Sequence, residues 1–389
     1  MVFIIDSACA ASIFLSIVIG SFFITDLILR FKKSPFFECN NRKDTLYGLY
    51  NNRLYPINSG FDERVHYENL RTKCCLYDVP ETPLKITGND SIEFLNRLFT
   101  RDVDKIKIGK AGYAIACNHQ GGIMMDGVLM RPNEEEFIYV QANGDFLNWA
   151  QAHLGNLDTS INDFDSWVLQ IQGPTSFEVL EAVSDISIDN FPYYGVRETE
   201  INGTPFYVSR SGWTGERGFE IYSKNADFDG VGLWNHLLEE GNSAGLIASD
   251  VSSMHIRRIE AGILDYGTDI DQTLNPFELG LGRLVHMDKP YFIGQEALLE
   301  TSKTQIRFKG LTSSETSLTR GDKVFQEGKE IGFISAGAWS PHLETGIGFL
   351  RLHDADISDN KLKVVTDSGE FDAKVVDLPF HDPEKLLVR

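Results

Sequence analysis

The apolar positions of this chain first run unbroken and then settle into two alternating rhythms. Residues 7–25 carry no charge, and apolar character continues past Asp26 to Leu29. About twenty apolar residues is the length of a membrane-spanning helix. Asp6 precedes the run, while Arg30, Lys32 and Lys33 follow it, the reverse of a secretory signal, whose basic end comes first. Three readings stay open: a single N-terminal membrane helix, a start site placed too far upstream, and a buried or interfacial helix. A spanning helix with this charge order would leave the body in the cytoplasm, anchored to the membrane by residues 7–29.

From Pro35 the rhythm is that of a mixed α/β protein. Asp90 and Ser91 precede Ile92, Leu95 and Phe99 at helical spacing, which predicts a capped helix. Residues 111–118 and 120–131 read as two strands joined by a glycine-bearing turn, and residues 135–143 as a third. Helices are predicted at 145–154, from Thr175, and at 231–241. Strands are predicted at 167–173, ending at Gly173-Pro174, and at 205–213 paired with 218–224. Beyond Ile306 the pattern becomes short strands broken by Gly and Asp, which suggests a small β-barrel or sandwich. The expected organisation is a hydrophobic extension at 1–33, an α+β body at 34–304 with two subdomains, and a β-domain at 305–389.

Composition narrows the function. With 56 acidic against 36 basic residues, the net charge is −20. No long Lys/Arg run is present, so nucleic acid is not an expected partner. Cys9, Cys39, Cys74, Cys75 and Cys117 are odd in number and lack C-x-x-C spacing, which fits reduced thiols in a reducing compartment. The nine histidines have no metal-ligand spacing, and no metal is expected. P-loop, G-x-S-x-G, H-E-x-x-H and G-x-G-x-x-G signatures are all missing.

Candidate chemistry lies in three clusters. Asp126 ends the apolar triplet Ile123-Met124-Met125 after Gly121-Gly122. An acid within a strand costs desolvation unless partnered, so it reads either as a hydrogen-bonded strand residue or as a functional one. In the segment Ser211 to Tyr222, Gly212, Gly215 and Gly218 permit tight turns and close backbone approach to a ligand. Trp213 and Phe219 offer aromatic surface there. Strand alternation puts Glu220 and Tyr222 on one face, opposite Phe219 and Ile221. A carboxylate so placed can accept two hydrogen bonds from an amino-pyrimidinone edge, and an ordinary hairpin with an outward Glu is the competing reading. The third cluster holds Arg258, Glu260, Glu278 and Lys289, where Arg258 fits an internal ion pair equally well.

In order, these clusters resemble the aminomethyltransferase family, the folate-binding T protein of glycine cleavage and its relatives, from about Ser34 to Phe380. The stretch GKAGYAIACNHQGGIMMDGVL resembles the family's Tyr, Asn-x-x-Gly-Gly and essential Asp, which places Tyr113, Asn118 and Asp126. QANGDFLNW resembles its folate-binding strand end, with Gln141 and Asn143. GWTGERGFEIY resembles its Thr-Gly-Glu-x-Gly-Phe-Glu signature, with Trp213 beside it and Glu220 as pterin ligand. RIEAG resembles the helix that bears Arg258. The resemblance implies a three-domain, ring-like α+β fold with a C-terminal small β-barrel. It also implies tetrahydrofolate in the centre and a catalytic, orienting role for Asp126.

Within the family, SPFF, YNNRLYP, CLYDV, NPFE, SPH and DLPF resemble the dimethylsulfoniopropionate demethylase branch. Asp78-Val79-Pro80-Glu81-Thr82 stands where the T protein usually reads Asp-Val-Ser-His-Met. The expectation placed first is therefore methyl transfer from a small onium or methoxylated metabolite. Aminomethyl transfer with a lipoyl carrier protein is the alternative, and a non-catalytic folate-binding protein the third.

Overall fold

The computed structural model describes residues 31–354, 357 and 362–389. The apolar run at 7–29 lies outside them. Among the described residues no helix is long and apolar enough to cross a membrane.

A small N-terminal unit contains β1 (Lys32–Lys33), α1 (Phe37–Asn40), the hairpin β2 (Leu46–Tyr50) and β3 (Arg53–Asn58), and α2 (Glu63–Thr72). The chain continues through β4 (Cys74–Val79), β5 (Thr82–Thr87), α3 (Ser91–Leu98), β6 (Lys110–Cys117), β7 (Ile123–Arg131), β8 (Glu136–Gln141), α4 (Phe146–Ala152) and β9 (Ser160–Asp163). Next come β10 (Val168–Gln172), α5 (Ser176–Val183), β11 (Val196–Ile201), β12 (Thr204–Ser209), β13 (Gly218–Ser223), α6 (Gly230–Glu240), β14 (Leu246–Ala248), α7 (Val251–Glu260) and α8 (Gln295–Thr301). The last six strands are β15 (Phe308–Ser313), β16 (Lys323–Gln326), β17 (Lys329–Ser340), β18 (Thr345–Leu352), β19 (Leu362–Thr366) and β20 (Gly369–Val376).

Two sheets form the body, ordered β11-β12-β13-β10-β4-β14 and β6-β7-β8-β5-β9. Alternation along their strands sorts the side chains into layers. Leu169, Ile171, Phe219 and Ile221 pack under α5 and α6, and Leu129, Phe137 and Tyr139 pack under α3 and α4. Between the sheets lies a third layer with Tyr77, Val79, Val168 and Tyr222 from one, and Met130, Ile138 and Val140 from the other. The result is a helix–sheet–sheet–helix stack, with the last six strands closed as a barrel in the order β15-β18-β17-β16-β19-β20.

Helix α3 forms where the sequence predicts it, with a shifted face and end. Phe94, Leu95 and Leu98 are its buried apolar residues, while Ile92 is only half-buried. Asp90 accepts no capping bond from the helix amides, because its carboxylate accepts instead from the Asp158 amide at 2.8 Å. The helix stops at Leu98, with Phe99 already extended. Lys289 fixes that end by donating to the carbonyls of Asn96 (2.7 Å), Phe99 (2.7 Å) and Arg101 (2.8 Å).

The chain crosses between the two sheets at Pro80-Glu81, which links β4 to β5, and again at residues 164–167, which link β9 to β10. Arg53 of the N-terminal hairpin clasps both crossings. Its Nη1 donates to the carbonyls of Glu81 (2.8 Å) and Ser166 (2.7 Å), and its guanidinium lies 4.2 Å from the Trp167 ring centroid. Burial this complete pulls its pKa down. The two crossings are thereby held side by side at the rim of the inter-sheet layer.

Candidate active site

Asp126 lies in the middle of β7, 5% exposed. Its register partners put it on one face with Ile115 and Val128, and Val128 is opposite Tyr113. The Tyr113 hydroxyl donates to Asp126 Oδ2. Asp126 Oδ1 is buried with no partner. An acceptor in that state carries a desolvation cost, and so marks a place where a donor group fits. Burial pushes the Asp126 carboxyl up to about 7, Asp265 and Asp269 push the same way, and the Tyr113 bond opposes them.

Glu220 lies on β13, on the face that turns toward the inter-sheet layer, opposite Phe219 and Ile221 as alternation predicts. It accepts from Ser211 Oγ, from the Tyr222 hydroxyl at 2.9 Å and from Gln170 Nε2 at 3.0 Å. Burial raises its pKa, and the Ser211 and Tyr222 hydroxyls hold it back. Gly215 takes the positive φ of the expected tight turn, and the other two glycines closely approach a protein side chain. A Cβ at Gly212 would come within 2.0 Å of Gln172 Oε1, and one at Gly218 within 2.6 Å of Gln172 Cδ. The Gln172 amide in turn donates to the carbonyls of Ser211 (3.1 Å) and Phe219 (3.3 Å). The close approach is thus to a protein side chain, and it fixes the loop that carries Ser211 to Glu220.

Arg258, near the end of α7, pairs with Asp269 and donates to the Ile263 carbonyl at 3.1 Å. Asp269 Oδ1 accepts from Ser335 of the barrel at 2.6 Å. Arg258 also stands over half-buried Trp213, 5.0 Å from the ring centroid. It therefore joins the helix, the following loop and the barrel, and sets its guanidinium over the Trp213 ring.

The remaining candidates spread along the same sheet. Asn118 Oδ1 accepts from the amides of Gln120 (2.9 Å) and Gly122 (3.0 Å), so it shapes the β6–β7 turn. Gln141 is paired with Gly127, which by alternation gives it the face opposite Asp126, and its Oε1 is buried without a partner. Asn143 is exposed, and its Oδ1 accepts from the Asn51 amide at 3.1 Å. Asn51 in turn donates to the Ala142 carbonyl (3.0 Å) and accepts from the Gly144 amide (2.7 Å). These bonds pin the tip of the N-terminal hairpin to the end of β8.

The geometry brings Tyr113 and Asp126 together, Trp213 and Arg258 together, and Glu220 onto the second sheet facing the same layer. Comparison with known proteins then bears on identity. Residues 51–289 match the GCVT N-terminal domain, and residues 306–382 match the glycine cleavage T-protein C-terminal barrel domain. An aminomethyltransferase from Thermotoga neapolitana is 35% identical over 325 residues, covering 80% of this chain and 87% of that protein. The chain belongs to the aminomethyltransferase family. Another member, from Halothermothrix orenii, is 29% identical over 360 residues, covering 90% of this chain and 99% of that protein. The glycine cleavage system aminomethyltransferase T from Bartonella henselae shares the fold, with a TM-score of 0.79 at 22% identity, over 90% of this chain and 98% of that one.

This aminomethyltransferase-family chain is a tetrahydrofolate-dependent transferase, and its residues fit that ligand. Buried unpartnered oxygens on Asp126 and Gln170 call for donor groups, and tyrosines border the same layer. Four groups escaped the sequence reading: Tyr50, Asp265, Gln170 and Glu81. Burial drives the Tyr50 hydroxyl well up, assisted by Asp265, Glu81 and Asp126, which sets the hairpin's end among three carboxyls. Their sequence signals are weak. Gln170 is one polar residue in an apolar strand, and Glu81 was legible only as a departure from the usual family pattern.

Proposed function

We propose that this chain transfers an aminomethyl carbon to tetrahydrofolate, with a lipoyl-bearing carrier protein as donor. Methyl transfer from a small onium or methoxylated metabolite, given first place above, yields that place because the relatives named here are aminomethyltransferases. The observation that carries the reading is the bare, buried Oδ1 of Asp126 beside a Tyr113-bound Oδ2. Tetrahydrofolate supplies the nitrogens that accept the one-carbon unit. Glu220 would accept from the amino-pyrimidinone edge, and Trp213 and Arg258 would border the ring system. Asp126, ionised, would steady positive charge developing on an amine nearby, and Tyr113 would hold its carboxylate in one orientation. Gln141, Asn118 and Asn143 would act through the strand ends and turns they hold.

On this reading residues 34–304 form the folate-binding part and residues 305–389 the barrel. Cytoplasmic action is supported by Cys74 and Cys75, adjacent, unpaired and buried, whose thiols burial pushes up to about 11 and 12. The test is the product. The purified chain is incubated anaerobically with tetrahydrofolate and either an aminomethyl-loaded lipoyl carrier or methylated onium donors. Methylene-tetrahydrofolate with ammonia supports the proposal, whereas methyl-tetrahydrofolate restores the demethylation reading. Tight folate binding without turnover of either donor leaves only a binding protein.

A further inference from the structure

The Pro80-Glu81 crossing places a second carboxyl beside Glu220. Gln170 Nε2 donates to Glu220 Oε1 at 3.0 Å and lies 3.3 Å from Glu81 Oε1. Two carboxyls thus converge on one amide. Glu220 has three side-chain donors, from Ser211, Tyr222 and Gln170, whereas Glu81 has the longer share of Gln170 and its own main-chain amide. Two carboxylates this close do not both ionise readily, and the one with more donors keeps the charge. The proton therefore belongs on Glu81.

The same spot has unmet hydrogen-bonding capacity. Gln170 is fully buried and its Oε1 has no partner, and Glu81 Oε2 is likewise enclosed and unpartnered. Together the three side chains offer a charged acceptor, a neutral amide acceptor and an acid O–H donor. An amino-pyrimidinone edge presents adjacent N–H donors flanked by a ring nitrogen or carbonyl acceptor, so it complements all three.

Resting on the folate reading above, we propose that Glu81 is a further ligand-binding residue that donates its proton to the pterin while Glu220 accepts from it, with Gln170 fixing the pair. The charged and titratable groups facing Glu81 agree with a neutral acid. Glu220 comes from β13, Asp78 from β4, and Tyr50 and Tyr55 from the hairpin. Among the described residues Arg53 is the cation that acts on Glu81, and its Nη1 hydrogen bonds go to main-chain carbonyls, including that of Glu81 itself. Burial, then Glu220, raise the Glu81 carboxyl to about 8.

The test is folate affinity against pH, measured by titration calorimetry with tetrahydrofolate under anaerobic conditions. Above pH 8 the wild-type Kd is expected to rise about tenfold per unit relative to Glu81→Gln, which keeps a neutral donor at all pH values. At pH 7 the two proteins should bind within a few-fold of each other. A second measurement needs only the wild type: at pH 8.5, titrations in buffers of different ionisation enthalpy should show net proton uptake on binding. Parallel Kd profiles for the two proteins, or no proton uptake, overturn the assignment of Glu81 while leaving folate binding intact. A wild type that binds no folate at any pH overturns the folate reading and this one together.

Discussion

Replacing Asp126 by Asn separates catalysis from stability in opposite directions. The carboxyl is held at about 7 against an ordinary value of 3.8. An acid whose folded pKa is raised is destabilising in its ionised form. The penalty is absent below the unfolded value, grows as pH rises toward 7 and stays constant above it. That span amounts to about 4 kcal/mol at full ionisation. Asn removes the penalty and can still accept the Tyr113 hydroxyl through its amide oxygen. Its amide nitrogen would then occupy the unpartnered Oδ1 position, at a cost of about 1–3 kcal/mol. The net expectation is a gain of about 1–3 kcal/mol at pH 8, shrinking and then reversing as the pH approaches 4. Turnover should fall in the other direction, by about 10²–10³, because the charge that steadies the amine is gone. Thermal melts of both proteins at pH 4.5, 6 and 8, with anaerobic tetrahydrofolate turnover at pH 8, measure both effects. Asp126→Asn that keeps turnover within threefold, or that loses stability at pH 8 together with activity, refutes the reasoning.

Three further outcomes are expected. Glu220→Gln should raise the Kd for tetrahydrofolate about 30-fold at pH 7 through loss of a charge-assisted pair, with the melting temperature nearly unchanged; equilibrium titration checks this. Arg258→Met strands Asp269 without its buried partner and should cost about 3–5 kcal/mol in urea unfolding. Lys289→Met leaves the carbonyls of Asn96, Phe99 and Arg101 without their shared donor. It should cost about 2–4 kcal/mol by the same assay, with folate affinity in the folded protein unaffected.

The sequence alone determined the parts of this protein that local periodicity encodes. Alternation through Phe219 to Tyr222 already assigned Glu220 and Tyr222 to one face, and the strand pairing agrees. Short strands beyond Ile306 announced a small barrel or sandwich, the family resemblance implied the barrel, and the barrel closes with six strands. The glycine-rich segment from Ser211 was legible as a place of close approach, yet the group approached is Gln172, 40 positions before Gly212 and 46 before Gly218. Periodicity carries no information about that distance. The open choice for Arg258 was likewise decided by Asp269 and Ser335, which reach it from a loop and from the barrel. What tertiary structure alone decided is the assembly of carboxyls. Asp126, Glu220 and Glu81 come from three separate segments, and only the stacking of two sheets, with Arg53 clasping both crossings, brings them to one buried layer, where Asp265 of the loop after α7 adds its charge against Asp126. Burial and mutual repulsion there set which of them carry protons, because a carboxyl's charge depends on neighbours that are far away along the chain.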